Sequence, residues 1–122
     1  MGKKTVIIGA TPNPSRYAYM AARMLMDYGH EIVPVGIKHG QVFGKEIQDL
    51  RKQEKIENVD TVTMYIGTRH QPEWYSYILG LKPARVIFNP GTENDELIQK
   101  LSDAGSDPIE ACTLVMLRSG QY

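Results

Sequence analysis

Thr5-Val6-Ile7-Ile8-Gly9-Ala10-Thr11-Pro12-Asn13-Pro14-Ser15-Arg16 opens the chain's first folding unit. Four apolar or β-branched residues closed by a glycine read as a strand. Ala10 to Pro14 is dense in turn formers. From Ser15 onward Tyr17, Met20, Ala21, Met24, Leu25 and Tyr28 recur at the spacing of one helix face. Asn13 or Ser15 can cap that helix, Pro14 suits its first turn, and Gly29 offers the left-handed exit. The unit is therefore a strand, a tight turn and a helix.

The same phrase returns along the chain. A second strand is expected over about residues 31–37 and a third over 61–66, closed by Gly67. A fourth, Arg85 to Phe88, ends at Asn89-Pro90-Gly91, and a fifth covers about Pro108 to Cys112. Residues 45–57 alternate in charge and are expected to form a short solvated helix, with Ile47 and Leu50 turned inward. A further helix is expected over 71–79, with Pro72 in its first turn. Another is expected after a capping box formed by Thr92 and Asp95, burying Leu97, Ile98, Leu101 and Ala104 and ending at Gly105. Residues 113–122 carry no decisive pattern. No Asn-Gly or Asp-Gly pair marks an antiparallel hairpin. Strands alternating with helices pair in parallel through right-handed crossovers. The expected fold class is α/β: a three-layer, doubly wound parallel sheet, Rossmann-like, with residues 1–122 as a single domain.

Composition fits this reading. The 122 residues are 42% hydrophobic and 23% charged, which excludes a disordered chain. Fourteen Lys plus Arg balance fourteen Asp plus Glu. That balance gives no basic footprint for nucleic acid or an anionic membrane. Apolar runs are too short for a membrane span or a signal peptide, and one cysteine excludes an internal disulfide. The expected compartment is cytoplasmic.

In such sheets a ligand lies outside the carboxyl ends of the strands, so the residues after each strand carry the site. After the first come Gly9, Ala10, Thr11, Ser15 and Arg16. A glycine lets backbone approach closely, and a cation in the first helical turn opposes the helix dipole, so an anionic ligand explains Arg16 better than helix stability does. The loop is not GxGxxG, because Thr11 and Pro14 replace two of its glycines. With two prolines lacking N–H donors, a diphosphate must lean on the side chains of Thr11, Ser15 and Arg16. After the second strand come Val35, Gly36, Lys38 and His39, with no carboxylate to hold ribose hydroxyls. Lys38 favours a nucleotide with an extra ribose phosphate, either coenzyme A or NADP. His39 reads as a surface loop residue. Ile66, Gly67 and Thr68 follow the third strand and can flank an adenine; Gly91 closes the same rim. Trp74, Tyr75 and Tyr77 fit core or interface better than base stacking. No GxSxG, HExxH or Walker A motif occurs, and His30, His39 and His70 lack metal-ligand spacing. Cys112 fits a small buried hydrophobe better than a reactive thiol.

These residues resemble the small single-domain CoA-binding proteins, which are similar to the CoA-binding domain of the succinyl-CoA synthetase alpha subunit. The matching pieces are Val6-Ile7-Ile8-Gly9-Ala10, Asn13-Pro14-Ser15-Arg16, and Gly29 to Val35 leading to Lys38. Phe43-Gly44, Val59-Asp60, Gly91-Thr92-Glu93-Asn94, Ala104-Gly105 and Cys112 follow in order. The resemblance implies a diphosphate at Gly9, Thr11, Ser15 and Arg16. It implies the ribose and its phosphate at Val35, Gly36 and Lys38, and the adenine side at Ile66, Gly67 and Thr68. Gly36-Ile37 stands where the family usually has Asn-Pro, and Gly67-Thr68-Arg69-His70 where it usually carries an Arg-Pro or Pro-Pro pair.

The expectation is a stand-alone protein that binds CoA or acyl-CoA without catalysis of its own. The alternatives are an NADP-binding redox protein or sensor, and an interaction subunit that binds no nucleotide. The partner is a small-molecule nucleotide, with no metal, nucleic acid or membrane involved. So small a domain can also bury surplus aromatics against a copy of itself, as a homodimer.

Overall fold

Thr5–Ile8 (β1) runs through the middle of a six-stranded sheet with all four residues buried. Burial on both faces is what an unbroken β-branched run dictates. The computed structural model describes residues 2–122. In chain order the elements after β1 are α1 (Tyr17–Asp27), β2 (Ile32–Gly36), β3 (Gln41–Val42), β4 (Lys45–Glu46), β5 (Gln48–Asp49) and β6 (Thr61–Met64). They continue with α2 (Tyr75–Gly80), β7 (Arg85–Phe88), α3 (Asp95–Asp103), β8 (Asp107–Glu110) and α4 (Thr113–Arg118).

The sheet order is β5-β2-β1-β6-β7-β8, and every pairing in it is parallel. Thr5 stands beside Ile32 on one side and Thr61 on the other. From β1 the chain first winds outward to β2 and β5, then returns across β1 to β6, β7 and β8. That reversal puts the topological switch point at β1, where a crevice opens at the strand ends. The fold is the expected Rossmann-like α/β sheet.

Each face has its own core. Val6, Ile8, Val62, Met64, Val86 and Phe88 pack with Ile78 of α2 and with Leu97 and Leu101 of α3. On the other face Ile7 packs with Ala18, Ala22 and Leu25 of α1 and Leu117 of α4. Among the described residues no helix is long and apolar enough to cross a membrane.

Several local expectations need correction. The buried face of α1 is Ala18, Ala21, Ala22 and Leu25, not the larger stripe. Tyr17, Met20 and Tyr28 are exposed. Small residues let the helix sit close to the sheet, and the bulky apolar ones flank the contact. Neither Asn13 nor Ser15 caps α1: the Asn13 carboxamide accepts from the Ser15 amide and hydroxyl, and Arg16 takes the cap position without a side-chain bond. This local turn satisfies the loop before the helix begins.

Residues 45–57 form no α-helix. Phe43 and Gly44 both have positive φ, 49° and 80°, and reverse the chain into an antiparallel β3–β4 hairpin. The Phe43 ring rests on Tyr19, centroids 4.8 Å apart, which holds a conformation that phenylalanine rarely adopts. A 3₁₀ turn, Leu50–Lys52, follows β5 and is capped by the Asp49 carboxylate. Ile47 and Leu50 do turn inward, at 7% and 1% exposure.

The expected helix over 71–79 is a 3₁₀ turn, Pro72–Trp74, leading into the shorter α2, and a second 3₁₀ turn, Thr68–His70, precedes it. Asn94, not Thr92, caps α3, accepting from the Leu97 amide at 3.1 Å. The Thr92 hydroxyl donates instead to the Asn89 carbonyl. Ala104 is exposed, while Leu97 and Leu101 are buried. Residues after Cys112 form α4, pinned by a buried polar knot. Asn89 donates to Thr63 Oγ1 at 2.7 Å and accepts from the Thr113 amide at 2.8 Å.

Candidate functional site

A cleft of about 990 Å³ opens at the carboxyl ends of β2, β1, β6 and β7. Among the expected site residues, all but Val35 and Thr68 line it. Val35 is buried in the core at 1% exposure. Thr68 turns away, its hydroxyl donating to the Glu93 carbonyl at 2.6 Å.

The loop after β1 is committed to its own architecture. The Gly9 and Ala10 amides both donate to the Val35 carbonyl, at 2.8 and 3.0 Å. The Asn13 amide donates to Thr11 Oγ1, and the Arg16 amide to the Asn13 carbonyl. These amides are not free to cradle a phosphate, a stronger reason than the two prolines for recognition by side chains. Arg16 is exposed at the start of α1 and forms no ion pair among the described residues.

The two glycines nearest the switch point answer to the fold. Gly9 has φ +100°, and a Cβ there would lie 2.9 Å from the Tyr65 carbonyl carbon. A Cβ on Gly36 would lie 2.8 Å from the Ala10 carbonyl oxygen. Gly67 differs. Its φ is −58°, and nothing lies within 4 Å of a Cβ placed on it. The fold makes no steric demand for glycine at this cleft-lining position.

Lys38 lies on the β2 side of the cleft, beside Ile37 at 56% exposure and His39, an exposed loop residue that also lines the cleft. Sequence reasoning passed over Tyr65, Thr92 and Glu73, which line the cleft together with His70 and Pro90 of the loops it did inspect, and set Trp74 aside as core or interface. The signal available was position: Tyr65 directly follows β6, although its apolar neighbours read as strand. Burial raises the Tyr65 phenol well above the usual tyrosine range, and hydrogen bonds with Thr113 and Thr63 offset part of that. Glu73 is the one carboxylate lining the cleft among the described residues, against Arg16 and Lys38. In a chain of zero formal charge, this local excess favours an anion. Among the described residues no group of three His, Cys, Asp or Glu could hold a metal ion, and Cys112 lies off the cleft.

The chain is similar to solved structures over nearly its whole length. A crystal structure of a protein described as uncharacterized shares 55% identity, covering 100% of this chain and 99% of that one, with a TM-score of 0.96. A protein from Thermus thermophilus, at 23% identity, covers 99% and 91% with a TM-score of 0.86. A hypothetical protein from Pyrococcus horikoshii, also at 23%, covers 97% and 83% with a TM-score of 0.83. The latter two likenesses show the fold. No curated protein matches the sequence. The family model described as a CoA binding domain matches residues 3–118. With that match across almost the entire sheet and its cleft, the chain belongs to the CoA-binding domain family.

Proposed function

We propose that this protein binds CoA or an acyl-CoA across the carboxyl ends of its strands and performs no chemistry of its own. One observation carries the reading: two cations, Arg16 and Lys38, line one cleft from the adjacent loops after β1 and β2. CoA carries two separated anionic groups, a diphosphate and a ribose 3′-phosphate. Arg16, with the Thr11 hydroxyl, serves the diphosphate, the Ser15 hydroxyl being engaged with Asn13; Lys38 serves the 3′-phosphate. The family match supports CoA, and the NADP and non-binding alternatives draw no support from it.

On this reading strand order gives the ligand a direction. With the 3′-phosphate at β2 and the diphosphate at β1, the next loops along the sheet, after β6 and β7, meet the pantetheine arm. Adenine shares its ribose with the 3′-phosphate and therefore belongs near Lys38, against exposed Ile37. On this reading Ile66 and Gly67 face the arm, not the adenine suggested by sequence resemblance. His39, His70 and Glu73, which share the rim, make no hydrogen bond with one another, which supports binding over acid–base chemistry.

Calorimetric titration of CoA, dephospho-CoA and NADP into wild-type protein and Lys38→Glu tests the reading. Wild type binds CoA more tightly than NADP, and Lys38→Glu loses far more affinity for CoA than for dephospho-CoA. Equal losses would remove Lys38 from the 3′-phosphate, and silence toward CoA would sink the function.

A further inference from the structure

We infer that Gln71 is a positioning residue which locks the loops after β6 and β7 into one wall of the cleft, so that the wall meets the ligand preformed. The inference rests on the CoA reading above.

Gln71 is fully buried between the two 3₁₀ turns. Its Nε2 donates to the Ile66 carbonyl at 2.9 Å and to the Thr92 carbonyl at 2.8 Å. Both acceptors belong to cleft-lining residues, one on each loop. Its Oε1 accepts from Asn94 Nδ2 at 2.9 Å, and Asn94 Oδ1 in turn caps α3. Both amide protons and an oxygen lone pair are thus engaged, with water excluded. Thr68 Oγ1 adds an exposed tie from the first loop to the Glu93 carbonyl of the second.

A carboxamide is suited to this position. Both carbonyls need donors and Asn94 offers one, so an aliphatic residue would strand three polar groups and a carboxylate would repel the carbonyls. Neither loop is built from long elements: short 3₁₀ turns follow β6, and Asn89-Pro90-Gly91 follows β7. Without the Gln71 bridge each loop would have to order itself as the ligand arrives, and that ordering costs affinity. The opposite half of the cleft, with Arg16 and Lys38, does not depend on Gln71.

This division provides the test. Adenosine 3′,5′-bisphosphate carries the phosphates and base but no pantetheine arm, so it engages only the β1 and β2 half. Titrating it and CoA into wild type and Gln71→Leu should show CoA weakened about tenfold and the bisphosphate by no more than about twofold. A role in general stability would move both alike, so the ratio of the two losses is the readout. Should Gln71→Leu fail to fold, Thr68→Val removes the exposed tie alone, with the same ratio shifted about threefold. Equal losses on the two ligands, or none in either variant, overturn the inference. Wild type that binds no CoA overturns the functional reading instead.

Discussion

Gly9 and Tyr65 touch backbone to backbone: a Cβ on Gly9 would sit 2.9 Å from the carbonyl carbon of Tyr65, with Gly9 at φ +100°. The first turn of the fold is pressed onto the end of β6, and both steric space and backbone conformation require glycine. Gly9→Ala should destabilise the protein by about 1–3 kcal/mol, read from thermal or urea unfolding. An unchanged midpoint would mean that the turn can relax away from β6.

Gly67→Ala separates ligand from fold. With ordinary φ and open space around its Cβ position, alanine fits without strain. Stability should hold within about 0.5 kcal/mol or rise slightly, because alanine restricts the unfolded chain. CoA affinity should fall, since the added methyl enters the cleft. A variant that binds as well as wild type places the ligand elsewhere.

Arg16→Ala should weaken CoA binding by about 10- to 100-fold, the range for a charge-assisted bond to phosphate. The exposed guanidinium has no ion-pair partner among the described residues, so the melting temperature should scarcely move. Unaltered affinity would exclude Arg16 from the diphosphate.

Asn89→Leu should cost about 2–4 kcal/mol, because it strands buried partners on β6 and at the start of α4. Hydrogen exchange should show amides of α4 exposed first. Uniform loss of protection across the sheet would show instead that α4 is not a separable unit.

His30 supplies a pH dependence at the opposite end of the strands. Burial, Lys3 and Arg85 hold its pKa below the ordinary 6.5, and the Lys3 amide donates to its Nδ1 at 2.9 Å. Asp60 opposes them in part. The folded protein therefore prefers neutral His30. Its contribution is present above the unfolded pKa near 6.5 and is lost as pH falls through the lower folded value. Urea midpoints at about pH 7.5 and about pH 5.5 should differ in wild type and converge in His30→Gln. The same slope in both proteins would assign the dependence to other groups.

The inner strands β1, β2, β6 and β7 were legible because they are buried runs ended by glycine or Asn-Pro-Gly, and burial on both faces leaves such runs no other use. The edge strand β5 was hidden inside the stretch expected to be a helix. The β3–β4 hairpin was hidden because its turn is Phe43-Gly44. A phenylalanine at positive φ is stabilised by Tyr19, which is distant in sequence and invisible to a local rule. The α1 face was misread for a related reason. Spacing locates the apolar arc, but only the distance to the sheet decides that Ala18 and Ala22, rather than Tyr17 and Met20, fill it. The cleft was legible in its cationic half, where Arg16 and Lys38 had no structural excuse. Its other half depends on Gln71 bonding two loops at once. No pattern in one dimension marks a polar residue that will be fully enclosed.

Trp74 is the sole indole in the chain, and it stands half-buried on the cleft wall beside that bridge. The molecule therefore carries its own optical reporter. Its intrinsic emission comes from the place where a ligand would exclude water, with no background from a second tryptophan. Occupancy of the cleft can be followed by fluorescence in unlabelled protein. A shift toward shorter wavelength would signal that the indole has exchanged solvent for ligand.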